Sequence, residues 1–182
     1  AAAPEVPRYQ RHVIDHHNVH RRNHSVADIH WDQGLADTAL KTAKTCVYAH
    51  DVEMDGGGYG QNIAAGAEET NITAILTEIF YNHEMMNFEK WYGWETPGDI
   101  NDHDAFIGWG HFTQIVWADT THVGCATYDC RFSGKGIAGL ENVSKECSPY
   151  FTVCNYKTSG NFPGQFNKMV NRPQGHPVVH WD

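Results

Sequence analysis

Apolar residues recur at helical spacing through the first half of the chain and give way to strand-like alternation only in the last third. That order constrains the fold more than any other feature. Tyr9, Val13, His16 and His20 predict a first helix over residues 8–20. Asp32 is a good N-cap for a second, with Leu35, Ala39, Ala43, Cys46 and Val47 on one stripe and His50 continuing it at the C-terminal end. The glycines at 56–58 and 60 force a turn. A third helix is expected from near Asn71, with Ile72, Ile75, Leu76, Ile79 and Phe80 facing the core. Residues 88–109 read as irregular, residues 112–117 as a short helix, and residues 123–129 and 150–156 as strands. Helices followed by strands without regular alternation predict an α+β fold. No internal repeat and no linker divides the 182 residues, so one domain is expected.

Composition narrows the function. A formal net charge of -9 with no Lys/Arg cluster disfavours nucleic acid. No apolar run reaches the ~18 residues of a spanning helix, so an integral membrane protein is not expected. Five cysteines (Cys46, Cys125, Cys130, Cys147, Cys154) match neither a zinc ribbon nor a thioredoxin-like pair. Together with N-x-S/T sequons at Asn23, Asn71 and Asn142, they point to the secretory route and an extracellular protein. The opening residues carry no leader pattern and read as a mature N-terminus or an expression remnant, a signal peptide having been removed.

Several chemical motifs fail on inspection. His83-Glu84-Met85-Met86-Asn87 has Asn where a metalloprotease helix needs its second His. No nucleophile elbow exists. The glycine cluster lacks the Lys and Ser/Thr of a phosphate loop. His12, His16 and His20 share one helix face and are read as half-buried or solvated rather than chelating. Phe88, Trp91, Tyr92, Trp94, Phe106 and Trp109 crowd one irregular stretch that also carries Pro97, Gly98, Asp99, Asp102 and Asp104. Such aromatics form a satellite core or, on a surface excursion, line an apolar pocket.

Five ordered segments carry a resemblance: Asp15 with His17-Asn18, residues 59–64 (YGQNIA), residues 110–117 (GHFTQIVW), residues 123–126 (VGCA), and residues 151–156 (FTVCNY) with Gly160-Asn161. In this order they resemble the CAP superfamily of cysteine-rich secretory, antigen 5 and pathogenesis-related class 1 proteins. The extra aromatics and histidines resemble those of fungal members. The match covers about residues 9–166, leaving tails at 1–8 and 167–182, the second read as a surface tail.

The resemblance implies a three-layer α-β-α sandwich and a cleft lined by two histidines and two acids. By position these are His50, His111, Gln61 and Glu84, with Gln61 standing where the family usually has Glu. A helical wheel anchored at Ile72 nominates His83 instead of Glu84, whereas the family's spacing to Phe88 nominates Glu84. Two converging imidazoles can bind zinc or another divalent metal. The resemblance also implies disulfides Cys46–Cys130 and Cys125–Cys154, with Cys147 left over. A sterol or fatty acid would be held by the aromatic stretch. The expected function is a secreted, non-enzymatic binding protein for such ligands, with a metal at His50 and His111, acting in defence or as an effector. The alternative is a metal-assisted hydrolase with Glu84 as general base beside His50 and His111.

Overall fold

The computed structural model describes residues 5–133, 136–140 and 149–176. Four strands form one mixed sheet: β1 (His30–Trp31), β2 (Gly60–Ala65), β3 (His122–Asp129) and β4 (Tyr150–Lys157), in the order β1-β3-β4-β2. β1 runs parallel to β3; the other pairings are antiparallel. Side chains alternate between the faces, and both faces are buried. On one, Ile63, Phe151 and Val153 pack under Ala39 and Ala43 of α2 (Gln33–Lys44). On the other, Val123 and Tyr156 join Val13 of α1 (Arg8–Asn23) and Phe112 and Val116 of α5 (Gly110–Val116). α2 approaches β3 so closely that a Cβ on Gly124 would run into the backbone of Asp32 and Ala36, so only glycine fits. One disulfide lies on each face: Cys46–Cys130 under α2, and Cys125–Cys154 between directly opposed residues of β3 and β4. Cys147 and Asn142 lie outside the described residues.

α1 is held mainly by hydrogen bonds. Apart from Val13, its buried residues are His16, His17, Asn18, His20, Arg21 and Asn23. His17 Nδ1 donates to the Val13 carbonyl (2.7 Å) and Nε2 accepts from the Tyr156 hydroxyl (2.9 Å). His16 and His20 meet the same Thr77 hydroxyl at 2.6 and 2.8 Å. Arg21 is 1% exposed and donates to the carbonyls of Ala27, Ile115, Trp117 and Thr120 at 2.7–2.9 Å. Two of these lie at the C-terminal end of α5, where a cation also meets the negative end of the helix dipole. The face expected to be half-buried or solvated is therefore only so at His12; His16 and His20 are buried.

The third helical region departs most from expectation. It is a π-helix, Ala74–Asn82, continuing through one α turn, α3 (His83–Met85), into a 3-10 helix, Met86–Trp91. With i→i+5 hydrogen bonds, a π-helix turns through a smaller angle per residue than an α-helix. The buried stripe therefore falls on Ile72, Leu76, Phe80, Glu84 and Phe88, four residues apart. Ile79, expected in the core, is 44% exposed, and His83 is exposed while Glu84 is buried.

Other differences are smaller. α2 ends at Lys44, and Cys46 adopts φ 52°, so Val47 and His50 leave the stripe and His50 sits on a loop. β1, β2 and α4 (His103–Ile107) were not foreseen as elements. The expected surface tail instead docks in part: α6 (Phe166–Met169) and Val170 pack into the core, and Ala118 N donates to the Met169 carbonyl (3.0 Å).

Candidate functional site

Glu84 reaches its place because the π-helix turns it inward; it is 4% exposed. One carboxylate oxygen accepts from His111 Nδ1 (2.6 Å), and the other from the Phe112 backbone N–H (2.8 Å). His111 lies in the first turn of α5, its ring stacked on Phe80 with centroids 4.4 Å apart. The carboxylate fixes the tautomer: Nδ1 carries the proton, and Nε2 keeps its lone pair for whatever enters the cleft. Both Glu84 oxygens are committed, so Glu84 orients His111 rather than offering a free base.

His50 is positioned from the opposite side. Its Nδ1 donates to Gln61 Oε1 (3.1 Å), which again leaves Nε2 open. Gln61, on edge strand β2, ties the His50 loop to β4 through its amide. Its Oε1 also accepts from Asp51 N (3.0 Å), and its Nε2 donates to the Asp51 carbonyl (2.9 Å) and to Asn155 Oδ1 (3.0 Å). The loop itself turns at Gly57, where φ is 69° and a Cβ would meet the Val52 carbonyl at 2.6 Å. The His50 residue is solvent-exposed, yet its imidazole pKa is lowered, first by desolvation and then by the nearby His111 and His103 imidazoles. His103, on α4, is a neighbour of the cleft that sequence reasoning missed; nothing in its local sequence marks it.

A divalent ion here would have two neutral imidazole nitrogens, His50 Nε2 and His111 Nε2, as protein donors. Among the described residues no group of three or more His, Cys, Asp or Glu is arranged to hold a metal. The donor set therefore fits an open site completed by water, not a closed structural one.

The family description "CAP: Cysteine-rich secretory protein family" matches residues 14–156. The chain belongs to the CAP family. It is 46% identical over 165 residues to a probable pathogenesis-related protein of Arthroderma benhamiae, covering 90% of this chain and 49% of that protein. It is 27% identical over 157 residues to a secreted protein of Candida albicans, covering 86% and 36%. The chain thus spans about half or less of the length of these curated relatives. A solved structure of NaASP2 with Zn2+ superposes with a TM-score of 0.61 at 19% identity, covering 94% of this chain and 90% of that one. At that identity the likeness shows the fold alone, an α+β sandwich of the CAP type.

Most CAP signature residues here hold structure together. Gln114 accepts from Gly160 N (2.9 Å) and donates to the Thr120 hydroxyl (3.0 Å). Thr113 donates to Asn161 Oδ1 (2.6 Å), and Asn161 Nδ2 donates to the Gly110 carbonyl (2.9 Å). The two signature segments clamp each other, which leaves His111 as the residue of its segment facing the cleft.

The aromatic stretch divides in two. Phe88, Tyr92 and Trp109 are core residues, 1%, 7% and 1% exposed, and of the three Trp109 also edges an open groove. Phe106 and Trp91 are partly buried, and Trp94 is 55% exposed, its ring edge-on to Trp91 at 5.3 Å. The adjacent open groove of about 580 Å³ is lined by Glu89, Lys90, Asp99 and Asp104 as well as Met86 and Trp109. The two sequons among the described residues also differ. Asn71 is exposed, whereas Asn23 is buried with its Nδ2 donating to the Tyr81 hydroxyl (2.8 Å), so a glycan there is incompatible with this packing.

Proposed function

We propose that the chain is a secreted, non-enzymatic binding protein that holds a divalent metal at His50 and His111 and a small apolar ligand at its surface aromatics, acting in defence or as an effector. The carrying observation is the commitment of both Glu84 oxygens, to His111 Nδ1 and Phe112 N. That arrangement prepares a ligand imidazole and uses Glu84 to orient it, which supports binding over hydrolysis. Secretion rests on a relative named as a secreted protein and on the cysteines and sequons of the chain. Zinc is the reference ion, since imidazole and water suit it.

Zinc calorimetry on the parent and on His50→Ala/His111→Ala tests the metal reading. Loss of one binding step in the double variant is expected; an unchanged isotherm would assign these histidines a structural role only. Casein turnover abolished by Glu84→Gln would instead establish the hydrolase. For the apolar ligand, a sterol or fatty acid, the supporting observation is Trp94, a large exposed aromatic braced by Trp91. Trp94→Ala should weaken sterol or fatty acid retention while Lys168→Ala leaves it intact; equal retention in both removes the aromatic segment from the site.

A further inference from the structure

The parallel pairing of β1 with β3 places His30 directly opposite His122. Directly opposed residues project from the same face of a sheet. Their rings lie with centroids 5.9 Å apart and planes at 51°. We propose that His30 and His122 form a second metal site, for a divalent transition ion, with copper(II) preferred.

The geometry is within reach of chelation. A metal–imidazole nitrogen bond of ~2.0–2.1 Å puts each ring centre roughly 3 Å from the ion, so two rings sharing it have centres up to roughly 6 Å apart. The backbone under the rings is braced. His30 N donates to the Thr121 carbonyl (2.9 Å) and Asp32 N to the Val123 carbonyl (3.0 Å). Just before them, Ile29 N and O are both held by the Asn18 amide (2.7 and 3.2 Å). Just after, Asp32 caps α2 through Leu35 N (2.9 Å). A strand of two residues thus has no freedom to slip in register.

The ring nitrogens are available. His122 Nδ1 is engaged by the Thr121 hydroxyl (2.9 Å), which turns Nε2 outward. His30 is exposed and its ring has no hydrogen-bond partner among the described residues. Asp28, within electrostatic reach of His30, is clamped by Arg22 through both oxygens (2.9 and 2.5 Å) and is not a ligand. Lys157, opposite His122 on β4, is the cation nearest in register, and it lies 3.9 Å from Asp32 Oδ2. The protein donors are therefore two neutral imidazoles, with water completing the shell. Imidazole ligation suits copper, nickel and zinc, and copper(II) binds most tightly of the first-row divalent ions.

The site does not depend on the His50/His111 cleft. Gln61, which holds His50, is on β2 at the far edge of the sheet, about three strand spacings or ~14 Å from β1. Copper(II) titration, followed by calorimetry and electron paramagnetic resonance, tests the site in the full chain and again in the His50→Ala/His111→Ala variant. In both backgrounds His30→Asn and His122→Asn should each weaken one copper by roughly tenfold or more, since losing a ligand costs at least what losing an outer-shell partner does. Combining them should cost little further at this site, because each single change already breaks the chelate. Thermal unfolding without metal should change little in both variants, since His30 is exposed and His122 is half-buried with its ring bonded to the neighbouring Thr121 hydroxyl. Copper affinity and nitrogen hyperfine structure unaltered by either substitution would overturn the proposal.

Discussion

The histidines of α1 and those of the cleft belong to the same residue type and lie within one domain, yet they are opposites. His17 spends both ring nitrogens on the protein, as does His24, on the Asn171 carbonyl (2.6 Å) and the Tyr81 hydroxyl (2.9 Å). His50 and His111 each spend only Nδ1, on Gln61 and Glu84. A count of 13 histidines therefore says little about metal binding. The number of ring nitrogens left without a protein partner, facing solvent, decides it.

The comparison is sharpest in acid. Burial pulls His17 to about 4 and His20 to about 3, and lowers His16 and His24 as well. Arg21, His12 and the other α1 imidazoles push against protonation here; Asp15 favours it at His16. With folded values below the unfolded ~6.5, the stabilisation is complete above pH 6.5 and is lost as pH falls toward 4. At pH 5, His17 and His20 should each have cost about 2 kcal/mol, a large share of an ordinary domain's stability. Urea unfolding at pH 7 and pH 5 measures this. His20→Gln should flatten the pH dependence more than His50→Ala does; the reverse ranking would erase the distinction between the two sets.

Arg21→Met comes next. It keeps much of the volume but strands four carbonyls, three of them buried, and roughly 3 kcal/mol of stability should be lost. Burial lowers the guanidinium pKa only to about 10, so Arg21 stays charged across pH 5–8, and the loss should be somewhat smaller at pH 5, where the arginine no longer opposes protonation of His17. A loss that grows in acid would contradict this coupling.

Gln61→Glu should have the smallest effect, and it probes the cleft. A carboxylate has no proton to give the Asp51 carbonyl and Asn155 Oδ1, so about 1–2 kcal/mol should be lost at pH 7. The deficit should shrink below about pH 5 as the introduced acid protonates. An equal deficit at both pH values would mean that the amide's donors contribute nothing to holding the His50 loop.

Much of this was legible beforehand. Asp32 caps α2 through Leu35 N, and β3 and β4 lie where alternation predicts them. The cleft was legible only through the order of the signature segments. His50 and His111 are 61 residues apart on a loop and a first helical turn, and no local spacing links them. The stripe through Ile79 and His83 was misread because a wheel assumes an α-helical turn angle, and a π-helix has no sequence signal of its own.

The first two helices, strands β3 and β4 and the turn at the glycines follow from the sequence by itself, because backbone preference and side-chain periodicity act over a few residues, and the family follows from the order of the signature segments. Which histidine is buried, which oxygen of Glu84 meets which donor, and whether Asn23 is open or packed were decided only by the tertiary structure. Those outcomes depend on partners such as Thr77, Tyr81, Phe112 and Tyr156, brought in from 28 to 139 residues away. Sequence carries the identity of a donor or acceptor but not its distance. A hydrogen bond that fails beyond ~3.5 Å is settled by packing alone.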